Sequence, residues 1–264
     1  MKNNQLGFAG ALWCMALAGV MVSCSDQDNL APNSENAVPD NVKAKLLDLG
    51  FNPNDVVRDG ENYILEGDIT LTPAAFAEMS KPTSVPGVAG AEQYRTYNLV
   101  SAPRTISVRG VSLSSKASTA LDWAIANYNA LNTGLTWRRV SSGGDIVVRQ
   151  ASGGGGGVAG FPSGGRPYNS VTLYTGTLSY DTNVVEHVLT HELGHCIGLR
   201  HTDWFNRSYS CGQGGNEGDG GVGAVHIPGT PTSYDSQSIM LACFSTSEDG
   251  EFSYYDRVAI EYLY

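Results

Sequence analysis

Residues 191–203 read His191-Glu192-Leu193-Gly194-His195-Cys196-Ile197-Gly198-Leu199-Arg200-His201-Thr202-Asp203, and they hold three of the chain's five histidines. Imidazoles four apart on a helix share one face, with Cβ atoms about 5–6 Å apart. His191 and His195 can therefore hold one ion between them. Gly198 accepts the left-handed backbone that ends a helix, and the chain can then turn to deliver His201 as a third nitrogen donor. Three protein nitrogens leave one corner of a tetrahedron open, the arrangement of a catalytic rather than a structural zinc. A water at that corner has its pKa lowered to about 7. Glu192, beside the first ligand, is placed to take its proton. The expected cofactor is one catalytic Zn2+. HExxH alone recurs by chance, and the glycine and third histidine that follow set this run apart.

The full pattern HExxHxxGxxH resembles the signature of the metzincin metallopeptidases. Within them, HELGHCIGLRHTD resembles the dual-action HEIGH metallopeptidases, with Leu193 where that name has Ile. The resemblance implies an α+β metzincin-like zincin domain: a twisted, mostly parallel sheet with an active-site helix, a backing helix and a C-terminal helix. It implies that Ser238-Ile239-Met240 is the methionine turn, with Met240 as an apolar floor beneath the metal. Some related enzymes place a tyrosine ligand two residues after this methionine; Ala242 stands here, so that ligand does not carry over. The implied activity is zinc-dependent endopeptidase action on a protein or peptide substrate, with Glu192 as general base. Two alternatives differ in class or substrate. One is a surface binding or adhesion lipoprotein that uses the zinc fold structurally, for which Glu192 and an open corner have no use. The other is a zinc amidase, which shares the metal and differs in cleft shape.

The elements that must position this chemistry follow from periodicity. Residues 105–111 alternate β-branched and polar side chains and predict a strand. Ala117, Leu121, Ala124, Ile125, Tyr128 and Leu131 recur at helical steps and predict a backing helix over 115–132. Residues 135–140, 145–149, 159–166 and 170–174 predict further strands. The glycines at 153–157 belong to no regular element on this reading and form a flexible rim of the cleft. The metal helix is expected to start at Asp181 or Asn183, with Glu186 completing a capping box with Asn183. His187 is redundant to the motif and reads as a neighbouring structural histidine, and His226 as no ligand. Asp203 is placed either to orient a backbone group or imidazole near the ligands or to make a local turn. Residues 212–223, with Glu217 and Asp219, form an acidic glycine loop for which Ca2+ is a secondary expectation. Ser253 and Asp256 start the last helix.

The 264 residues suffice for one large domain with a small appendage, and 41% hydrophobic content supports a packed core. A formal net charge of -10 argues against a nucleic-acid partner. Residues 1–23 read as a signal peptide: Lys2 precedes an apolar run with interspersed small residues. Met21-Val22-Ser23-Cys24 resembles a bacterial lipoprotein cleavage box, which implies a lipid on Cys24, and Ser25 to Asp28 resembles the acidic tag that routes some such proteins outward. The expected location is therefore that of an exported bacterial lipoprotein at the outer membrane or cell surface, touching the membrane only through its N-terminal lipid. Residues 24–42 read as the lipidated flexible tether. With Cys14 and Cys24 set aside, Cys211 and Cys243 are the favoured bridge, both lying in the loop-rich region past the metal helix, and Cys196 reads as a buried apolar group.

Residues 43–92 read as a small pro-segment-like region and linker, and 93–264 as the zinc metallopeptidase domain. Val42, Leu46 and Leu49 have helical spacing, two short apolar runs flank Glu66-Gly67-Asp68, Thr72-Pro73 starts a short helix, and residues 81–87 break the pattern. Residues 63–71 resemble the stretch that precedes the protease domain in HEIGH-type chains. The region has no cysteine to cap a metal. Asp68 reads first as a turn residue, although an acidic group there is chemically able to cap one.

Overall fold

The computed structural model describes residues 37–49, 51–79, 93–218, 221–231 and 234–264. The signal segment, Cys24, the tether through residue 36, the linker 81–92 and Asp219 lie outside the described residues. Among the described residues no helix is long and apolar enough to cross a membrane.

The larger region is an α/β layer structure, and alternation along its strands explains the sheet. Five strands run in the order β6-β5-β7-β9-β8: β5 (Arg104–Val111), β6 (Leu135–Arg139), β7 (Ile146–Ala151), β8 (Gly157–Val158) and β9 (Ser170–Tyr174). All neighbours pair in parallel except β8, which runs antiparallel to β9 and forms one edge. Inward residues Ile106, Val108, Ile146, Val148, Val171 and Leu173 are fully buried. They meet α3 (Ser115–Asn129), capped at Ser114, whose hydroxyl accepts from the Ala117 N–H at 3.3 Å, and which buries Ala117, Leu121, Ala124, Ile125 and Tyr128. The mostly parallel sheet with a backing helix agrees with the expected fold class.

Beneath the sheet lies α4 (Thr182–Ile197), buried on all sides from Val184 onward. Its apolar side chains, Val184, Val185, Val188, Leu189, Leu193 and Ile197, seat it in the interior, and with it His191 and His195. Gly198 ends it at φ 110°, its N–H donating to the carbonyls of Gly194 and His195. A last helix, α6 (Tyr254–Leu263), starts with a full capping box between Ser253 and Asp256.

The smaller region has its own architecture. α1 (Asp40–Asp48) and α2 (Pro73–Glu78) pack on an antiparallel meander of β1 (Val56–Asp59), β2 (Asn62–Leu65) and β3 (Ile69–Leu71). Leu46, Phe51, Leu65, Ile69 and Leu71 form its core, with Phe161 and Val222 of the larger region packed against it.

Several expectations need correction. α1 begins at Asp40, inside the stretch assigned to the tether. α3 stops at Asn129, three residues early, because the Asn129 side chain bonds both backbone groups of Trp137 on β6. Residues 159–166 form no strand, since Gly164 and Gly165 take φ of 57° and 71°. The strand at this edge is instead Gly157–Val158, so the last of the five glycines is in a regular element after all. α4 has no capping box, because Glu186 points at Asn127, which donates to it at 2.9 Å.

Candidate metal centre

His191 and His195 project from α4 with ring centroids 4.6 Å apart, and His201 faces them at 5.3 and 4.9 Å. Each ring is oriented by a bond to its outer nitrogen. Nδ1 of His191 faces the Ile239 carbonyl at 2.8 Å, Nδ1 of His195 faces the Leu199 carbonyl at 2.8 Å, and Nδ1 of His201 faces Glu217 Oε1 at 2.8 Å. A carbonyl only accepts, so the first two rings carry their proton on Nδ1 and turn a bare Nε2 lone pair inward. The three Nε2 atoms thus converge.

The donor set fits a divalent metal. Nε2 of His195 and His201 lie 3.2 Å apart, and two nitrogens each about 2.0–2.1 Å from one tetrahedral zinc stand at about that separation. Burial and the neighbouring imidazoles push the His195 pKa well below its usual value, which keeps the ring neutral as a ligand must be. Asp68 joins the same cluster: its carboxylate and the three imidazoles each offer a ligand atom within 4.8 Å of the others. Burial opposes charge on Asp68, yet the His201 imidazole 2.8 Å away holds its carboxyl far below the ordinary range. The turn reading of Asp68 is thereby incomplete, because its side chain points into the site rather than into water.

Glu192 is buried beside the ligands, and its Oε2 has no hydrogen-bond partner. Burial, with the Asp68 charge adding to it, raises its pKa well above the carboxylate norm. Glu192 packs against Gly157 so closely that a Cβ there would fall 2.8 Å from its Oε1. The cleft beside it, about 260 Å³, is lined by Gly155, Gly156, Gly157, Val188 and Phe244 among others. His187 also lines it, and burial together with His191 pushes its pKa down to about 3.

Met240 is fully buried against α4. A Cβ at Gly194 would meet its Sδ at 2.6 Å, so glycine in α4 is what lets the sulfur approach. The turn carrying Met240 is held by Asp256, which accepts from the Ile239 N–H at 2.8 Å, from Ser238 Oγ at 2.7 Å and from Gln93 Nε2 at 2.9 Å. Burial raises the Asp256 pKa, against the bonds from Ile239 and Ser238.

Asp203 bonds backbone and hydroxyl rather than imidazole: Oδ1 accepts from the Ala242 N–H at 2.9 Å and Oδ2 from Ser210 Oγ at 2.6 Å. The carboxylate that orients a ligand is Glu217, which also faces Arg200 at 3.4 Å. Burial works against its charge, but His201 and Arg200 hold its pKa low. Glu217 belongs to the glycine loop for which Ca2+ is a secondary expectation, and in the fold its carboxylate faces His201. The only signal for it was an acidic residue isolated among glycines. Cys211 and Cys243 are joined by a disulfide that pins this loop to the stretch after Met240, and Cys196 is buried and free. His226 sits in β10 (Val225–His226), paired with β4 (Tyr94–Arg95) and apart from the ligand cluster.

The family model described as dual-action HEIGH metallo-peptidase matches residues 63–264, a span that includes Asp68 as well as the three histidines. Among solved structures, the chain is similar to two of myroilysin. One has 18% identity and a TM-score of 0.44, covering 63% of this chain and 96% of that one. The other has 17% identity and a TM-score of 0.43, covering 75% and 98%. No curated protein matches.

Proposed function

The chain belongs to the dual-action HEIGH metallopeptidases, and from that premise we propose that it is a zinc-dependent endopeptidase in which His191, His195 and His201 hold the metal and Glu192 is the general base. The observation that carries this reading is the convergence of three Nε2 atoms, those of His191 and His195 bare, beside a buried carboxylate with an unpartnered oxygen. A bound zinc ion lowers the pKa of water and polarises a peptide carbonyl. Glu192 takes the proton of the attacking water and hands it to the departing amine. Gly157 keeps the side of Glu192 clear, and Met240 with Gly194 fixes the floor against which the imidazoles are set.

Export and a lipid anchor at Cys24 remain part of the same proposal and rest on the sequence of residues 1–28. The Cys211–Cys243 bridge supports it, because disulfides persist in oxidising compartments.

The test is Glu192→Gln, compared with the native residue in chains that begin at Ala91; the large core takes none of its residues from 37–79. Zinc content stays at one ion per chain, and turnover of a quenched peptide library falls by about 10²–10⁴-fold. Comparable turnover in the variant removes Glu192 from the mechanism.

A further inference from the structure

Glu66 and Gly67, at φ 59° and 93°, bend the chain ahead of β3 so that the Asp68 side chain enters the histidine cluster. A positive φ at a non-glycine residue is costly and is kept only where surroundings impose it. Here the surroundings grip the segment from two sides. Arg207 Nη2 donates to the Glu66 carbonyl at 3.0 Å. On the sheet side, the Ala159 N–H donates to the Asp68 carbonyl at 2.8 Å and the Thr70 N–H donates to the Ala159 carbonyl at 2.5 Å. Residues 68–70 thus lie as an added strand against the chain just past β8, at the open edge of the sheet.

The carboxylate is placed where it meets more than one imidazole. Asp68 Oδ2 lies 2.8 Å from Nε2 of His201 and 3.7 Å from Nε2 of His191. A simple ion pair with His201 does not account for the second approach, because His191 already spends its proton on the Ile239 carbonyl and offers Asp68 only a lone pair. Anionic oxygen and bare nitrogens crowd together this way around a shared cation.

We infer that Asp68 is the fourth protein ligand of the metal held by His191, His195 and His201, and that residues 66–70 keep the enzyme latent by filling both the water's corner and the backbone groups of Ala159. The inference rests on the metallopeptidase reading above. A peptide substrate needs the same two things, an open coordination position and an unpaired sheet edge to add to as a strand. The tethered segment holds both at an effective concentration on the order of millimolar or higher. Free ligands must displace it to enter.

The experiment uses the full mature chain loaded with cobalt(II), whose visible spectrum reports ligand changes, titrated with acetohydroxamate. In the native chain the spectrum responds weakly. In Asp68→Ala and in the near-isosteric Asp68→Asn the hydroxamate binds at least about tenfold more tightly, the gain expected when a tethered competitor is removed. Equal affinity in all three chains, with one cobalt bound to each, overturns the latency assignment and leaves the peptidase reading standing. Failure of every chain to take up stoichiometric cobalt overturns both. Unchanged melting of the Asp68→Asn chain shows that its response does not come from unfolding.

Discussion

The region that builds the metal centre and the region that leans on it are stabilised in different ways. From residue 93 onward, the sheet, α3, α4 and α6 close over one continuous core that runs from Val100 to Ile260, and a disulfide ties the loops above it. The described part of the smaller region spans 37–79, with nine buried apolar residues among those described, no disulfide there, and two of its packing partners borrowed from the larger region. Domains of about 40 residues rarely hold themselves together without such help. The contrast teaches that the site is permanent and its cover conditional.

Breaking the weaker core should have the largest effect. Leu46 is fully buried in it, and Leu46→Ala is expected to remove about 2–5 kcal/mol, enough to let this region open. Limited proteolysis should then cut within residues 37–79 while the main melting transition stays in place, and peptide hydrolysis by the full chain should rise. A downward shift of the main transition instead would mean that the two regions fold as one unit.

The converse change targets the stronger region. Replacing Cys211 and Cys243 by Ser frees a sequence separation of 32 residues and should cost about 2–4 kcal/mol, read as a lower Tm of the main transition in chemical or thermal unfolding. An unchanged Tm would place the stability of the 203–243 loops in Glu217 and Asp203 rather than in the bridge.

The smallest effect sharpens the comparison at the metal itself. Glu217→Gln keeps a group of the same shape beside His201 but removes its charge, and chelator competition should show zinc affinity lower by about 10–100-fold. Affinity unmoved by this change would mean that the imidazole is set by backbone alone.

Residues close in sequence told most of this in advance. The metal run, the pairing of Cys211 with Cys243 and the terminal helix start at Ser253 are each fixed by neighbours a few positions away or by simple proximity of loops. Strand β1 is not legible in the sequence although Gly60-Glu61 forms a two-residue hairpin loop after it, because Val56–Asp59 has too few apolar residues to register as an alternating strand. Asp68, Glu217 and Asp256 acquire their contacts from chain far away: Ala159 aligns the first, His201 receives the second and Ile239 the third. A lone acidic side chain in a turn or a glycine loop carries no periodicity, so no pattern in its vicinity announces where it will point. The distinction between Asp203 and Glu217 is of this kind, since both are acidic and downstream of His201 and only the fold decides which meets the ring.

One consequence of the Asp256 bonds concerns the order in which the molecule is made. The carboxylate that anchors the turn carrying Ile239 and Met240 is made well after His201 and also reaches Gln93, the first described residue of the large region. The ribosome must deliver the chain through Asp256 before that turn can lock, so a nascent chain carries the histidines before the Ile239 carbonyl that faces His191 is fixed in place.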